Sequence, residues 1–231
     1  MKRMCFAAVV TLTCAGWAVQ AVAQTVISAD GGIESTAVGF IFPDGSVQMT
    51  AATAGSAPVA DTGQQTCYDP TGATTNTVPC ATTGQDGEKQ AGVDWPAPRF
   101  TDNLNGTVTD NLTGLIWLQV SNCSGSMSWV DALSEANGLE APDCLLTDGS
   151  VPTDWRLPNI KELLSLVDYA QSDPALPSGN PFVNVESSRY WSSSTEVQNP
   201  DGAWCVSLDG GGVCGVAKNN TYFVWPVQGG Q

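Results

Sequence analysis

The sequence predicts an α+β fold, and three observations carry that expectation. From residue 95 onward, short alternating apolar runs give way to two segments of helical periodicity and then to alternating runs again. Turn signals such as Asn105-Gly106 and Asp209-Gly210 join neighbouring runs as antiparallel hairpins. Six cysteines outside the N-terminal leader form an even set, suited to disulfide staples.

The leader comes first. Lys2 and Arg3 form a short positive region, residues 5–19 an apolar one, and Ala21-Val22-Ala23 a small-x-small cleavage site before Gln24. Residues 1–23 therefore read as a cleaved signal peptide, which sends the chain to the cell surface, the medium or the periplasm. The apolar run is shorter than a membrane span, and no later stretch approaches that length. Cys14 follows Thr13, not the small residue that precedes a lipidated cysteine, so it goes with the leader.

Residues 24–55 contain Gly39-Phe40-Ile41-Phe42-Pro43-Asp44-Gly45-Ser46-Val47-Gln48-Met49-Thr50. An apolar run, a Pro-Asp-Gly turn and alternation at Val47 and Met49 predict a β-hairpin. A lone hairpin is marginal in water. The segment resembles short β-segments of trimeric tail fibres and bacterial surface fibres, which implies an oligomerisation element and a homotrimer. Residues 56–94 are rich in Ala, Thr, Gly, Pro and Gln and poor in large apolar side chains, so they predict a linker with one small disulfide loop.

The compact domain is expected over residues 95–231, long enough for a core. Asn105-Gly106 turns between Arg99-Phe100-Thr101-Asp102 and Thr107-Val108-Thr109-Asp110, and Asn111–Gly114 turns into a buried strand at Leu115–Gln119. Ser128–Asn137 reads as a helix with Trp129, Ala132, Leu133 and Ala136 on one face and Gly138 as its stop. A second helix starts at Asn159, where Asn159 and Glu162 fit a capping box and Leu163, Leu164, Leu166 and Val167 supply the apolar face. Strands follow at Tyr190–Ser193, Ala203–Leu208, Val213–Ala217 and Thr221–Val227.

Six cysteines allow fifteen connectivities. Sequence order suggests three local pairs: Cys67 with Cys80, Cys123 with Cys144, and Cys205 with Cys214. The last follows from the turn. With Asp209-Gly210 at its tip, Leu208 faces Gly211, and counting outward sets Cys205 opposite Cys214 at a non-hydrogen-bonded pair, about 4.5 Å apart at Cα and within disulfide range. A zinc site is disfavoured, because the chain has no histidine and no C-x-x-C knuckle.

Removing Lys2 and Arg3 with the leader leaves six bases against 23 acids, a net charge of −17. Such a field repels nucleic acid, anionic lipid and sulfated polysaccharide, and attracts calcium or a basic partner. It also keeps an exported protein soluble.

The ordered set Arg99-Phe100-Thr101-Asp102, Gly106–Asp110, Thr113–Trp117, Asp154-Trp155-Arg156-Leu157-Pro158-Asn159 with Glu162-Leu163, Tyr190-Trp191-Ser192-Ser193, Ala203-Trp204 and Val224–Gly230 resembles the C-terminal domain of the Legionella collagen-like adhesin. The resemblance covers roughly residues 95–231. It implies a C-type-lectin-like domain of two helices and antiparallel strands, and, for the adhesin, trimers that bind sulfated glycosaminoglycans. This chain departs from the adhesin in lacking a Gly-x-y repeat and in its acidity. The acidity argues against polyanion binding.

The candidate ligand-binding residues are Trp155, Arg156, Arg189, Tyr190, Trp191 and Trp204. Trp155 and Arg156 either line a binding surface or form a structural pin, with the arginine held by a carboxylate. Tyr190 and Trp191 suit stacking on a sugar ring, but alternation on a strand turns one of them inward. Asn199-Pro200-Asp201 is similar to the proline-centred calcium loop of C-type lectins, so Asn199 and Asp201 are the candidate metal ligands. The Trp-Asn-Asp run of those lectins is absent, since Trp204 leads into Cys205-Val206. No other cofactor is implied.

Catalysis finds little support. Histidine is absent, and so are the Gly-x-Ser-x-Gly elbow and the phosphate loop. The leading expectation is an adhesin-like exported binding module for a glycan or a surface protein. The alternatives are an enzyme using two carboxylates on surface polysaccharide and a structural subunit of an envelope fibre.

Overall fold

The structure, a computed structural model, describes the strand backbone at residues 6–14, 17–27, 33–41 and 47–48, and residues 59–72 and 76–229 in full. The chain divides into two compact units, Met1–Pro58 and Val59–Gln231.

In the first unit β1 (Phe6–Cys14), β2 (Trp17–Ile27), β3 (Ile33–Ile41) and β4 (Val47–Gln48) form an antiparallel sheet in that order. β1 and most of β2 fall within the stretch read as a leader. β3 pairs with β4 through Ile41 and Val47. The Pro-Asp-Gly turn expected between them lies outside the described residues.

The second unit opens with β5 (Cys67–Tyr68) paired to β6 (Thr77–Val78), followed by the one-turn helix α1 (Asp86–Lys89). This is where the structure departs most from the sequence reading. Residues 59–94 were expected to be a linker, yet from Val59 on they belong to the compact unit. Polar bonds compensate for the shortage of apolar side chains. Asp61 N–H donates to Val93 O at 3.0 Å, Val93 N–H to Val59 O at 2.8 Å, and Tyr169 N–H to Thr62 O at 3.0 Å. The Cys67–Cys80 disulfide closes this segment.

Next come β7 (Phe100–Asp102), β8 (Thr107–Asp110) and β9 (Ile116–Leu118), an antiparallel meander. The first hairpin is looser than a two-residue turn, because Asn103 N–H donates to Thr107 O and Leu104 joins Gly106 at positive φ. β10 (Ser126–Met127) leads into α2 (Trp129–Gly138), whose N-cap Ser128 accepts from Asp131 N–H. α3 (Ile160–Leu164) has the expected capping box, with the Asn159 side chain on the Lys161 and Glu162 amides and Glu162 on the Asn159 amide. It stops at Leu164 short of Val167, since Leu166 and Val167 close three-residue turns onto Leu163 and Leu164.

β11 (Arg189–Thr195), β12 (Gly202–Ser207) and β13 (Gly212–Ala217) complete the centre of the domain. The last expected strand is split into β14 (Tyr222–Phe223) and β15 (Val227–Gln228), which join different sheets. Pro226 between them has no N–H to continue a ladder. The five-stranded sheet runs β10-β14-β11-β12-β13 and the four-stranded sheet β15-β9-β8-β7. All pairs are antiparallel except the β11–β14 contact at Tyr190 and Phe223.

Two apolar clusters flank the five-stranded sheet. One contains Tyr190, Val206, Leu208, Leu163, Leu166, Trp117 and Trp225; the other contains Trp191, Ala203, Cys205, Ala132, Ala136 and Leu157. Trp225 is the hub of the first: its ring lies 5.8 Å from Trp117, 4.8 Å from Phe182 and 5.4 Å from Tyr190, and its Nε1 donates to Leu118 O. Truncating such a tryptophan costs about 3–5 kcal/mol. The disulfides are the three local pairs, and Cys205 stands opposite Cys214 with Cα atoms 5.0 Å apart. Among the described residues the fold is thus a mixed one of few helices, several largely antiparallel sheets and three disulfides.

Candidate functional site

The aromatic motifs build core, not surface. Trp155, Tyr190 and Trp191 are fully buried. Tyr190 and Trp191 do face opposite sides of β11, as a strand requires. Both sides are covered, so neither ring is available for stacking on a sugar, which corrects the expectation that one of them faces outward. Tyr190 Oη accepts from Glu186 N–H, and Trp191 Nε1 donates to Met127 O.

Arg156 is a pin. Its guanidinium meets the Glu162 carboxylate through two bonds of 2.8 and 2.7 Å, and Nη2 also donates to Gly229 O. Arg99 plays the same part more deeply. It grips Asp110 through two bonds of 2.9 Å with both side chains buried, reaches Ser165 O, and lies between the Trp95 and Phe100 rings.

The remaining expected site residues do not converge. Arg189 donates to Tyr222 Oη and lies over its ring. Trp204, half-buried, stands across from Gly215 on β13. Asn199 and Asp201 are exposed and shape a turn, with Gly202 N–H on Asn199 O and Lys218 N–H on Asp201 O. The Lys218 ammonium donates to Pro200 O at 2.9 Å. This places a positive charge beside the turn that carries Asn199 and Asp201, which disfavours a second cation there.

What the structure assembles instead is a groove of about 590 Å³ lined by Asp61, Gly63, Gln65, Thr66, Gln90, Asp94, Trp95, Asp168, Ala170, Gln171 and Ser178. One wall is residues 61–66, tied at its end by the Cys67–Cys80 disulfide. The opposite wall is the turn after α3. Trp95 joins the walls, its Nε1 donating to Asp61 O at 2.9 Å while Arg99 lies against its ring. Gly63, at φ +82°, has no room for a side chain, because a Cβ there would collide with Asp168 Oδ1 and press on the Trp95 ring.

Asp168 is the unusual group. Only 6% of its surface is exposed, and its Oδ1 accepts from Ala170 N–H at 2.8 Å. Burial raises its pKa above the ordinary carboxylate value, and the nearby Asp61 charge adds to this, while the Ala170 N–H and the Arg99 charge oppose it.

Sequence reasoning missed this groove because half of it lies in the stretch read as a linker. One signal was present: a disulfide inside a structureless linker would have nothing to hold, so Cys67 and Cys80 already argued for order around them.

Among the described residues, no helix is long and apolar enough to cross a membrane, and the three disulfides fit an exported protein. In comparisons with known proteins, the model of the Lcl C-terminal domain matches residues 106–228. No curated protein matches the chain.

Proposed function

The chain belongs to the Lcl C-terminal domain family, and from that premise we propose that it is an exported, adhesin-like binding module that recognises a glycan through the Asp61–Trp95–Asp168 groove. The family implies a domain of a collagen-like surface protein. The observation that carries the reading is the lining of the groove. Carboxylates, amides and hydroxyls with a single tryptophan match a ligand rich in hydroxyl groups, and its volume lies within the roughly 300–1,000 Å³ of small-ligand sites. Trp155, Tyr190 and Trp191 offer no rival, being buried, and the half-buried Trp204 is the one candidate left outside the groove. The C-type-lectin-like architecture belongs to the same proposal, as does cleavage before Gln24, which N-terminal sequencing of exported protein tests.

A panel of immobilised glycans, probed with mature protein with and without calcium, tests the function. The reading expects at least one glycan to bind wild type, to lose most of its binding in Gln171→Ala and Gln90→Ala, and to keep it in Trp204→Ala. Loss confined to Trp204→Ala would move the site to the β12–β13 face and overturn the groove. No binding to any glycan would overturn the glycan reading itself.

A further inference from the structure

We propose that the groove is selective for a protonated amine on its glycan, an amino sugar with a free amino group, and that Asp168 is the carboxylate that anchors it. This rests on the reading of the groove as a glycan site.

Among the described residues, three carboxylates, Asp61, Asp94 and Asp168, line the groove, and no lysine or arginine does. The local field therefore repels sulfated and uronate sugars and favours a cation. Asp168 makes this specific. Its side chain is almost fully enclosed, yet among the described residues its Oδ2 accepts no hydrogen bond, only Oδ1 being engaged by Ala170 N–H. The nearest structural cation does not fill the gap, because the Arg99 hydrogen bonds go to both oxygens of Asp110 and to Ser165 O. A largely buried carboxylate with one oxygen free of protein donors is costly, and an ammonium in the groove supplies both a close opposite charge and the missing donors.

The other lining residues decide what carries that ammonium. Among the described residues no group of three acidic, histidine or cysteine side chains is placed to hold one metal ion, so the three carboxylates do not converge on a point. Spread acceptors suit an extended body bearing one or more amines. A lysine side chain would bring an apolar stem, whereas these walls are Gln65, Gln90, Gln171 and Ser178, partners for hydroxyl groups.

Calorimetric titration of the mature protein at pH 6 and 150 mM salt tests the proposal, using a fully deacetylated glucosamine tetramer, its N-acetylated counterpart and tetralysine. The expected result is at least tenfold tighter binding of the free-amine tetramer than of either other probe. Asp168→Asn should abolish that preference, while Glu140→Gln, an exposed acid away from the groove, should leave it intact. Equal or tighter binding of the acetylated tetramer, weakened by Gln171→Ala, would overturn amine selectivity and leave the glycan groove standing. Tetralysine matching the free-amine tetramer would overturn the sugar class. Equal losses in Asp168→Asn and Glu140→Gln would reduce the effect to the overall negative field and overturn the assignment. Failure of both sugars would overturn the inference together with the groove reading.

Discussion

Arg156 and Glu162 meet through two bonds, and the same carboxylate accepts from the Asn159 amide at 2.8 Å, so one side chain caps α3 and fixes the Trp155–Pro158 segment against it. Arg156 carries the link on to Gly229 O, beyond β15. One guanidinium thus holds Glu162, six residues on, by an ion pair and Gly229, 73 residues on, by a hydrogen bond.

Glu162→Gln should therefore destabilise the domain by about 1–3 kcal/mol at neutral pH. Burial pushes the Glu162 pKa up, but Arg156 and the Asn159 N–H outweigh it, and the result lies below the ordinary 4.5. A carboxylate with a lowered folded pKa stabilises above its unfolded value and loses that contribution as pH falls through the folded one. Urea denaturation at pH 7 and pH 3 should show the wild-type advantage at the first and a reduced one at the second. An equal advantage at both would contradict an ionic origin.

Asp168→Asn should have the opposite sign. Its folded pKa is raised above the ordinary 3.8, so the folded state favours the protonated form and loses stability as pH rises through that raised value. The amide keeps the acceptor for Ala170 N–H and removes the charge. Thermal unfolding should show the variant more stable than wild type at pH 7, with the gain disappearing below about pH 3.8. A less stable variant at pH 7 would show that the Asp168 charge is compensated in the fold.

Limited proteolysis should leave a resistant fragment starting near Val59, where the second compact unit begins. The backbone bonds of Asp61, Val93 and Tyr169 hold residues 59–94 in that unit. A fragment starting near Trp95 would restore the linker reading.

The mature protein should pass through heparin at physiological salt. Of its six bases, Lys89, Arg99 and Arg156 are paired with acids, and Lys218 is held over the Trp129 ring. Lys161 and Arg189 are left against a strongly negative field. Retention lost in Arg189→Ala would show that a local cationic face prevails.

Local signals were the legible ones. Asn159 and Glu162 are three residues apart and announce their own cap, and Asp209-Gly210 sets the register that brings Cys205 to Cys214. The binding surface was not legible, for two physical reasons. Alternation reveals that Tyr190 and Trp191 face opposite ways, but not that tertiary packing covers both faces. Composition suggested that residues 56–94 could not bury enough to fold, but backbone hydrogen bonds to Val93 and Tyr169, with one disulfide, order the stretch from Val59 on without a core of its own.

The most direct test follows the indole N–H resonances of ¹⁵N-labelled mature protein during titration with the deacetylated glucosamine tetramer. Trp95 lines the groove and its Nε1 donates to Asp61 O, whereas Trp191 and Trp225 donate to backbone carbonyls within the core. The account expects the Trp95 signal to shift with saturation while those of Trp155, Trp191 and Trp225 stay fixed. A stationary Trp95 with a moving Trp204 or Trp129 would contradict it and place recognition on β12 or at the start of α2.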